Sequence, residues 1–271
     1  SKFNFLTFVI KFKSEKNKMI SKKAKIGENV HIGNFVTIED DVVIDSNTWI
    51  GNNVSVLNGA RLGKRCQVHS GSVLGGDPQD LKYKNEYTLL EIGNDTIIRE
   101  FVTINRGTSS KDKTVVGNNN LIMANAHIGH DCIIGDNCIV GFGVGMAGEV
   151  VVDDWVNIGG LTAIHQFSVI GMHCIIGGMS RVVKDIPPYI MVGREPLSFV
   201  GLNRIGLQRR GFETQKINEL KDIYRVIFQK FKNTSLALSF LEENFVQSEE
   251  RNIIIDFIRR SSRGIVKSSV E

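Results

Sequence analysis

Every sixth residue from Ile20 to Val182 is aliphatic or methionine, and only Asp80, Glu86 and Ser110 depart from this rule. An α-helix cannot sustain that period, because the apolar positions of one helix face recur every three or four residues. Very short strands can, provided the chain turns after each inward side chain and begins a new strand. Glycine often follows the aliphatic residue, as at Gly27, Gly51, Gly93, Gly135 and Gly171, and the residue two places before it is usually small or β-branched. The pattern is that of a hexapeptide parallel β-helix.

In hexapeptide proteins, which the pattern resembles, three hexapeptides make one left-handed coil, so residues 18 apart lie above one another about 4.8 Å apart. The period also decides how the run "NAHIGHDC", residues 125–132, is read. On a helix His127 and His130 would share a face and could clip a metal, whereas within the six-residue repeat they flank the inward Ile128 at a turn. His130 then lies under Gly148, with Gln166 above that.

The repeat ends near Val182, and the texture changes. "TQKINELKDIYRVIFQKF" carries Ile217, Leu220, Tyr224, Ile227 and Phe231 at helical spacing, and "SEERNIIIDFIRR" opens on a capping-like Ser248 before Ile254, Phe257 and Ile258. The expected architecture is a β fold: a left-handed parallel β-helix over residues 20–187, then a small α-helical C-terminal domain over 188–271. Residues 1–19 have no assigned role. Their apolar run is too short to span a bilayer, and no small-residue cleavage site follows it, so neither stable membrane insertion nor a signal peptide is expected.

The net charge of +4 is unevenly placed. Residues 204–271 hold 13 Lys and Arg against 9 Asp and Glu, and residues 1–23 hold 7 Lys and one Glu, which leaves the prism acidic. No motif interleaves aromatic and basic residues, so nucleic-acid binding is not expected, and a basic helical domain suits an acidic protein partner or phosphates. Cys66, Cys132, Cys138 and Cys174 each fall two residues before an inward aliphatic, with no pair 18 apart. They read as buried, reduced core thiols, in keeping with a cytoplasmic location.

Two stretches, "GDPQDLKYKNEYTLL" (76–90) and "RGTSSKDKT" (106–114), interrupt the repeat without changing its phase. They are expected to loop out from an undisturbed prism, and loops on rigid scaffolds commonly carry function. "PQDLKY" (78–83), "TINRGT" (103–108), "NAHIGHDC" (125–132), "TAIHQF" (162–167), "DIPPY" (185–189) and "GLQRRGF" (206–212) occur in this order. With their spacing they resemble the UDP-N-acetylglucosamine 3-O-acyltransferases that begin lipid A synthesis, over residues from about 24 to about 267.

The resemblance implies transfer of an (R)-3-hydroxyacyl group from acyl carrier protein to the 3-hydroxyl of UDP-N-acetylglucosamine, with no cofactor or metal. It makes His130 the general base, Asp131 the group that orients its imidazole and the Gly148 N–H the oxyanion donor; the 18-residue ladder independently sets Gly148 above His130. It implies that Gln79, Asp80 and Lys82 hold the sugar nucleotide, that His127 lines the reaction centre, and that His165 and Gln166 contact nucleotide. Asn203, Arg209 and Arg210 match a nucleotide- or phosphate-contacting group, and Gly178 matches the residue that closes the far end of the acyl groove. It also implies a homotrimer with sites between subunits. His31, His69, His173, Trp49 and Trp155 match no motif and read as wall or surface residues. Two positions depart from the family pattern: Glu149 stands where a histidine is expected, and Ile205 where an acidic residue is.

Three other readings share some of these features. An N-acyltransferase acting on an amino-sugar nucleotide could use the same base and oxyanion donor. A hexapeptide zinc enzyme would need a third histidine at family spacing, and none is present. A purely structural β-helix explains neither the interrupting loops nor the paired histidines.

Overall fold

The computed structural model describes residues 18–231 and 233–268. Residues 1–17, most of the N-terminal segment without an assigned role, lie outside them. Strands of two to five residues wind around three faces and form parallel sheets of nine, eight and ten strands among the described residues, with one antiparallel strand ending the third sheet. Ile128 pairs in register with Met146 and Met146 with Ile164, which is the expected 18-residue coil.

The aliphatic at every sixth position fills the prism interior. Ile38, Val56, Leu74, Ile104, Ile128, Met146 and Ile164 point inward from the first face, Ile44 to Ile170 from the second and Ile50 to Ile176 from the third, all buried. Each full burial removes a side chain from water at a gain of roughly 1.5–3 kcal/mol. The first coil is the exception: Ile20 and Ile26 are partly exposed where the prism ends.

The turns do not rest on the glycine that often follows the aliphatic. Left-handed backbone falls three residues before the inward side chain, often at Asn or Asp, as at Asn47, Asn53, Asn119, Asn125, Asp131 and Asn137, but also at Phe35, Arg65, Leu161 and His173, with φ between 55° and 60°. Asn and Asp tolerate that region better than other non-glycine residues. The glycines after the aliphatic are required by coil spacing instead: a Cβ at Gly33 would lie 2.7 Å from the carbonyl carbon of Gly51 on the next coil.

Both interruptions loop out as expected. Leu74 pairs with Ile104 and Ile104 with Ile128, so the extra residues leave the stack while the register on either side persists.

The β-sheet runs further than the six-residue period. Strand Ile190–Gly193 adds in parallel to Ile175–Ile176, and Ser198–Leu202 pairs antiparallel with it, so the segment that opens the C-terminal region is β before it is helical. Ile190 and Val192 keep the inward alternation of the prism, which is why they join the sheet although the spacing has changed.

The helices follow as α1 (Arg204–Arg209), α2 (Thr214–Arg225), a π turn over Val226–Lys230, α3 (Thr234–Asn244) and α4 (Glu249–Arg260). α2 buries Ile217, Leu220, Ile223 and Tyr224, and the Tyr224 hydroxyl donates to the Pro188 carbonyl at 2.5 Å, tying helices to prism. Ser248 caps α4 by accepting from the Arg251 N–H. All four cysteines are buried and unpaired, and burial pushes the Cys132 thiol up to about 12. None of the described helices is long and apolar enough to cross a membrane.

Candidate active site

Both loops leave the prism at one corner, between the first and second faces. His130, Asp131, Gly148, His165 and Gln166 occupy that corner too, because each lies between a first-face strand and the second-face strand that follows it. The six-residue repeat therefore gathers residues from five segments of sequence along one edge.

The Asp131 carboxylate is wholly buried at the centre of this edge, and His130 is 7% exposed. Asp131 Oδ2 lies 2.7 Å from His130 Nδ1 and accepts a 2.7 Å bond from the Thr108 hydroxyl, while Oδ1 accepts from the Thr108 N–H at 2.8 Å. An ionised carboxylate only accepts, so His130 donates from Nδ1 and keeps its lone pair on Nε2. Nε2 faces Gly148: a Cβ built there would collide with Nε2 and Cε1 of the ring. The 18-residue ladder holds in fact, with the Glu149 N–H donating to the His130 carbonyl at 2.9 Å. Among the described residues the Gly148 N–H has no acceptor.

His127 points outward from the first face, with Nδ1 2.8 Å from the Thr103 hydroxyl. Burial, and secondarily the neighbouring His130 imidazole, lowers its pKa below the ordinary histidine value. Above it on the same face stand two small side chains, Gly145 and Ala163, before Arg181. His165 and Gln166 lie further up the corner, with His165 exposed.

The two loops interlock. Arg106 reaches from the second loop to Asp77 and the Tyr83 hydroxyl of the first, and the Ser109 N–H donates to Glu86. In the first loop the Asp80 carboxylate accepts the Lys82 N–H at 2.9 Å, a tight turn that leaves Gln79 and Lys82 exposed to solvent. Glu149, one of the two departures, is bonded to the Ser110 hydroxyl at 2.6 Å and paired with Lys111 at 3.1 Å. Its charge is thereby balanced locally. Nothing in the sequence marks Arg106, Thr108 and Lys111 individually; the signal they carry is their place in "TINRGT" and in a loop that breaks the period.

The C-terminal candidates do not join this cluster within one chain. Arg210 stacks on Trp155, 4.9 Å from its ring, and lies 3.3 Å from His173 Nδ1. Trp155 and His173 sit at the corner between the second and third faces. Burial, then the Arg210 charge, lowers His173 to about 4. Arg209, in the last turn of α1, is exposed. Asn203 is 1% exposed with both ends of its amide engaged, donating to the His173 carbonyl and capping α1 at the Gly206 N–H. In this chain it holds the helix that carries Arg209. Ile205, the second departure, is exposed in the first turn of α1. Gly178 lies at the remaining corner, between third and first faces, beside Gly160 of the coil below. No group of three or more His, Cys, Asp or Glu among the described residues is arranged to hold a metal ion.

The hexapeptide transferase repeat matches residues 41–76 and 113–148, and the family described as UDP-N-acetylglucosamine O-acyltransferase, domain 2, matches residues 185–266. The acyl-[acyl-carrier-protein]–UDP-N-acetylglucosamine O-acyltransferase of Stutzerimonas stutzeri is 37% identical over 250 residues, which cover 92% of this chain and 97% of that protein. The chain belongs to this O-acyltransferase family. The crystal structure of the UDP-N-acetylglucosamine acyltransferase LpxA from Bacteroides fragilis superposes with a TM-score of 0.91 at 47% identity, covering 93% of this chain and 99% of that one. LpxA from Acinetobacter baumannii gives a TM-score of 0.90 at 36% identity, covering 93% and 98%. The O-acyltransferase family fold is the left-handed parallel β-helix expected from the repeat.

Proposed function

We propose that the chain transfers an (R)-3-hydroxyacyl group from acyl carrier protein to the 3-hydroxyl of UDP-N-acetylglucosamine, the first step of lipid A synthesis, with His130 as general base. The observation that carries the base assignment is the His130–Asp131 pair, whose free Nε2 is directed at the space beside Gly148. A sugar hydroxyl is a poor nucleophile at neutral pH, and an imidazole is suited to taking its proton during attack.

The sugar oxygen attacks the thioester carbonyl carbon while Nε2 takes the hydroxyl proton. Asp131, fixed by Thr108, stabilises the imidazolium that results. The oxyanion of the tetrahedral intermediate receives the free Gly148 N–H. As the carbonyl re-forms, the carbon–sulfur bond breaks and the imidazolium returns its proton to the departing thiolate. Gln79, Asp80 and Lys82 hold the sugar nucleotide on the loop braced by Arg106, with His127, His165 and Gln166 lining the corner. The trough above His127, floored by Gly145 and Ala163, takes the acyl chain.

The active unit is a homotrimer in the cytoplasm. Outward apolar side chains support the assembly: Val115, Ile133 and Val151 on the second face, and Leu121, Ile139 and Ile175 on the third. The separation of Arg209 and Arg210 from His130 supports it as well, since a neighbouring subunit can bring a second corner to the first. The guanidiniums then bind the diphosphate.

Acyl transfer from 3-hydroxyacyl carrier protein to UDP-N-acetylglucosamine, run beside its 3-amino analogue, tests the reading. The hydroxyl sugar is expected to be the better acceptor. Turnover of the amine alone would reassign the chain to N-acylation, and wild-type turnover by folded His130→Ala would overturn the base assignment.

A further inference from the structure

We infer that Thr108 is a positioning residue that sets the orientation and basicity of His130 through Asp131, an inference that rests on His130 being the base. Thr108 gives both of its donors to one carboxylate, its N–H to Oδ1 at 2.8 Å and its hydroxyl to Oδ2 at 2.7 Å. Oδ2 is the oxygen that also meets His130 Nδ1. A carboxylate oxygen can only accept, so the 2.7 Å contact fixes the hydroxyl proton on Oδ2, while Thr108 Oγ1 in turn accepts the Ser110 N–H at 3.1 Å and the Thr108 carbonyl accepts the Asp112 N–H. Asp131 itself is at φ 60°, with its N–H donated to the Thr114 hydroxyl, so its backbone cannot rotate to choose another carboxylate position.

The loop that supplies Thr108 is latched on both sides. Ser110 and Lys111 bind the Glu149 carboxylate, and Lys111 also donates to the Asp131 carbonyl at 3.2 Å. On the other side the Gly107 N–H donates to the Leu89 carbonyl, and Arg106 grips the first loop. Thr108 thus stands where the sugar-nucleotide loop and the imidazole meet. Its hydroxyl draws electron density from Oδ2, which weakens the hold of that oxygen on an imidazolium.

Thr108→Val removes the hydroxyl at nearly constant volume and keeps the N–H bond. A hydrogen bond to a buried charge is lost, and kcat is expected to fall about ten- to a hundredfold. With Oδ2 free to hold the imidazolium more strongly, the acid limb of the pH–rate profile moves to higher pH. Thr108→Ser, which restores the hydroxyl, should recover most of kcat and return the limb to its wild-type position. If Thr108→Val does not fold, Thr108→Ala removes the same hydroxyl without the β-branch and is read the same way. A hydroxyl-free variant with wild-type kcat and an unmoved acid limb, or a folded Thr108→Ser no better than Thr108→Val, overturns the inference. His130→Ala in parallel separates the two levels: if it is inactive while Thr108→Val is unaffected, only the positioning role fails, and if it turns over normally the base assignment fails first.

Discussion

Gly148→Ala adds one methyl group at the point where the proposed mechanism is most crowded. The backbone at Gly148 is outside the left-handed region, so alanine meets no dihedral penalty there. The cost comes from the His130 ring, which the new Cβ would strike at Nε2 and Cε1. That ring cannot swing away without breaking its 2.7 Å contact with a wholly buried Asp131. Losing a hydrogen bond to a charged group costs about 1.5–3 kcal/mol, a moderate loss of stability for a prism stitched by so many buried aliphatics. Activity should suffer far more, because a displaced or obstructed Nε2 forfeits the general-base contribution of about 10²–10⁴-fold. Steady-state acyl transfer beside thermal melting of Gly148→Ala reads both quantities. The double variant His130→Ala/Gly148→Ala adds a sharper comparison. With the ring gone the methyl has room, so the double variant should be no less stable than His130→Ala and no less active. Additive losses in stability, or wild-type turnover by Gly148→Ala, would refute the claim that Nε2 and Gly148 share one reaction space.

Three further outcomes follow from the same geometry. Arg204, Lys221 and Arg225 line one groove of the basic C-terminal region, so KM for the acidic acyl carrier protein should rise as salt shortens the ~8–10 Å screening length; a flat KM from low to high salt argues against electrostatic docking. His173 is held neutral with its pKa lowered to about 4, so the unfolded chain binds a proton the native state refuses between pH 6.5 and 4; stability falls as pH drops through that window by up to about 3 kcal/mol. His173→Phe, which keeps an aromatic ring between Trp155 and Tyr189, should flatten the fall in Tm from pH 7 to pH 5, and an unchanged slope would show that other groups cause it. Gly178→Met places a Cβ 3.2 Å from the Gly160 carbonyl oxygen, close enough to need only a small adjustment, and should move the preferred acyl donor to a shorter chain at about 0.8 kcal/mol per excluded methylene; an unchanged length profile in the folded variant would mean the groove ends elsewhere.

The prism was legible because its information is one-dimensional. An inward aliphatic every six residues fixes the register of every coil at once, and loops that preserve the phase leave that register intact. The same ladder sets Gly148 over His130. It could not show that Gly135 and Gly159 serve coil spacing, since a glycine needed for φ and a glycine needed for close approach look alike in sequence. Nor could it reveal Thr108, whose bond to Asp131 spans a loop that the period does not index. Periodicity also stopped short at Val182, although Ile190 and Val192 continue the sheet, because a hairpin keeps the inward alternation while abandoning the six-residue step. The C-terminal residues show a different limit. Arg210 belongs to a motif, but its partners, Trp155 and His173, belong to none and read from sequence as wall residues. They lie 18 apart in sequence and so stack at one corner, a relation the repeat itself supplied. A motif marks residues by their type and spacing, whereas the ladder marks residues that stack on one another, and at this corner the stacking of Trp155 and His173 is written in their 18-residue separation.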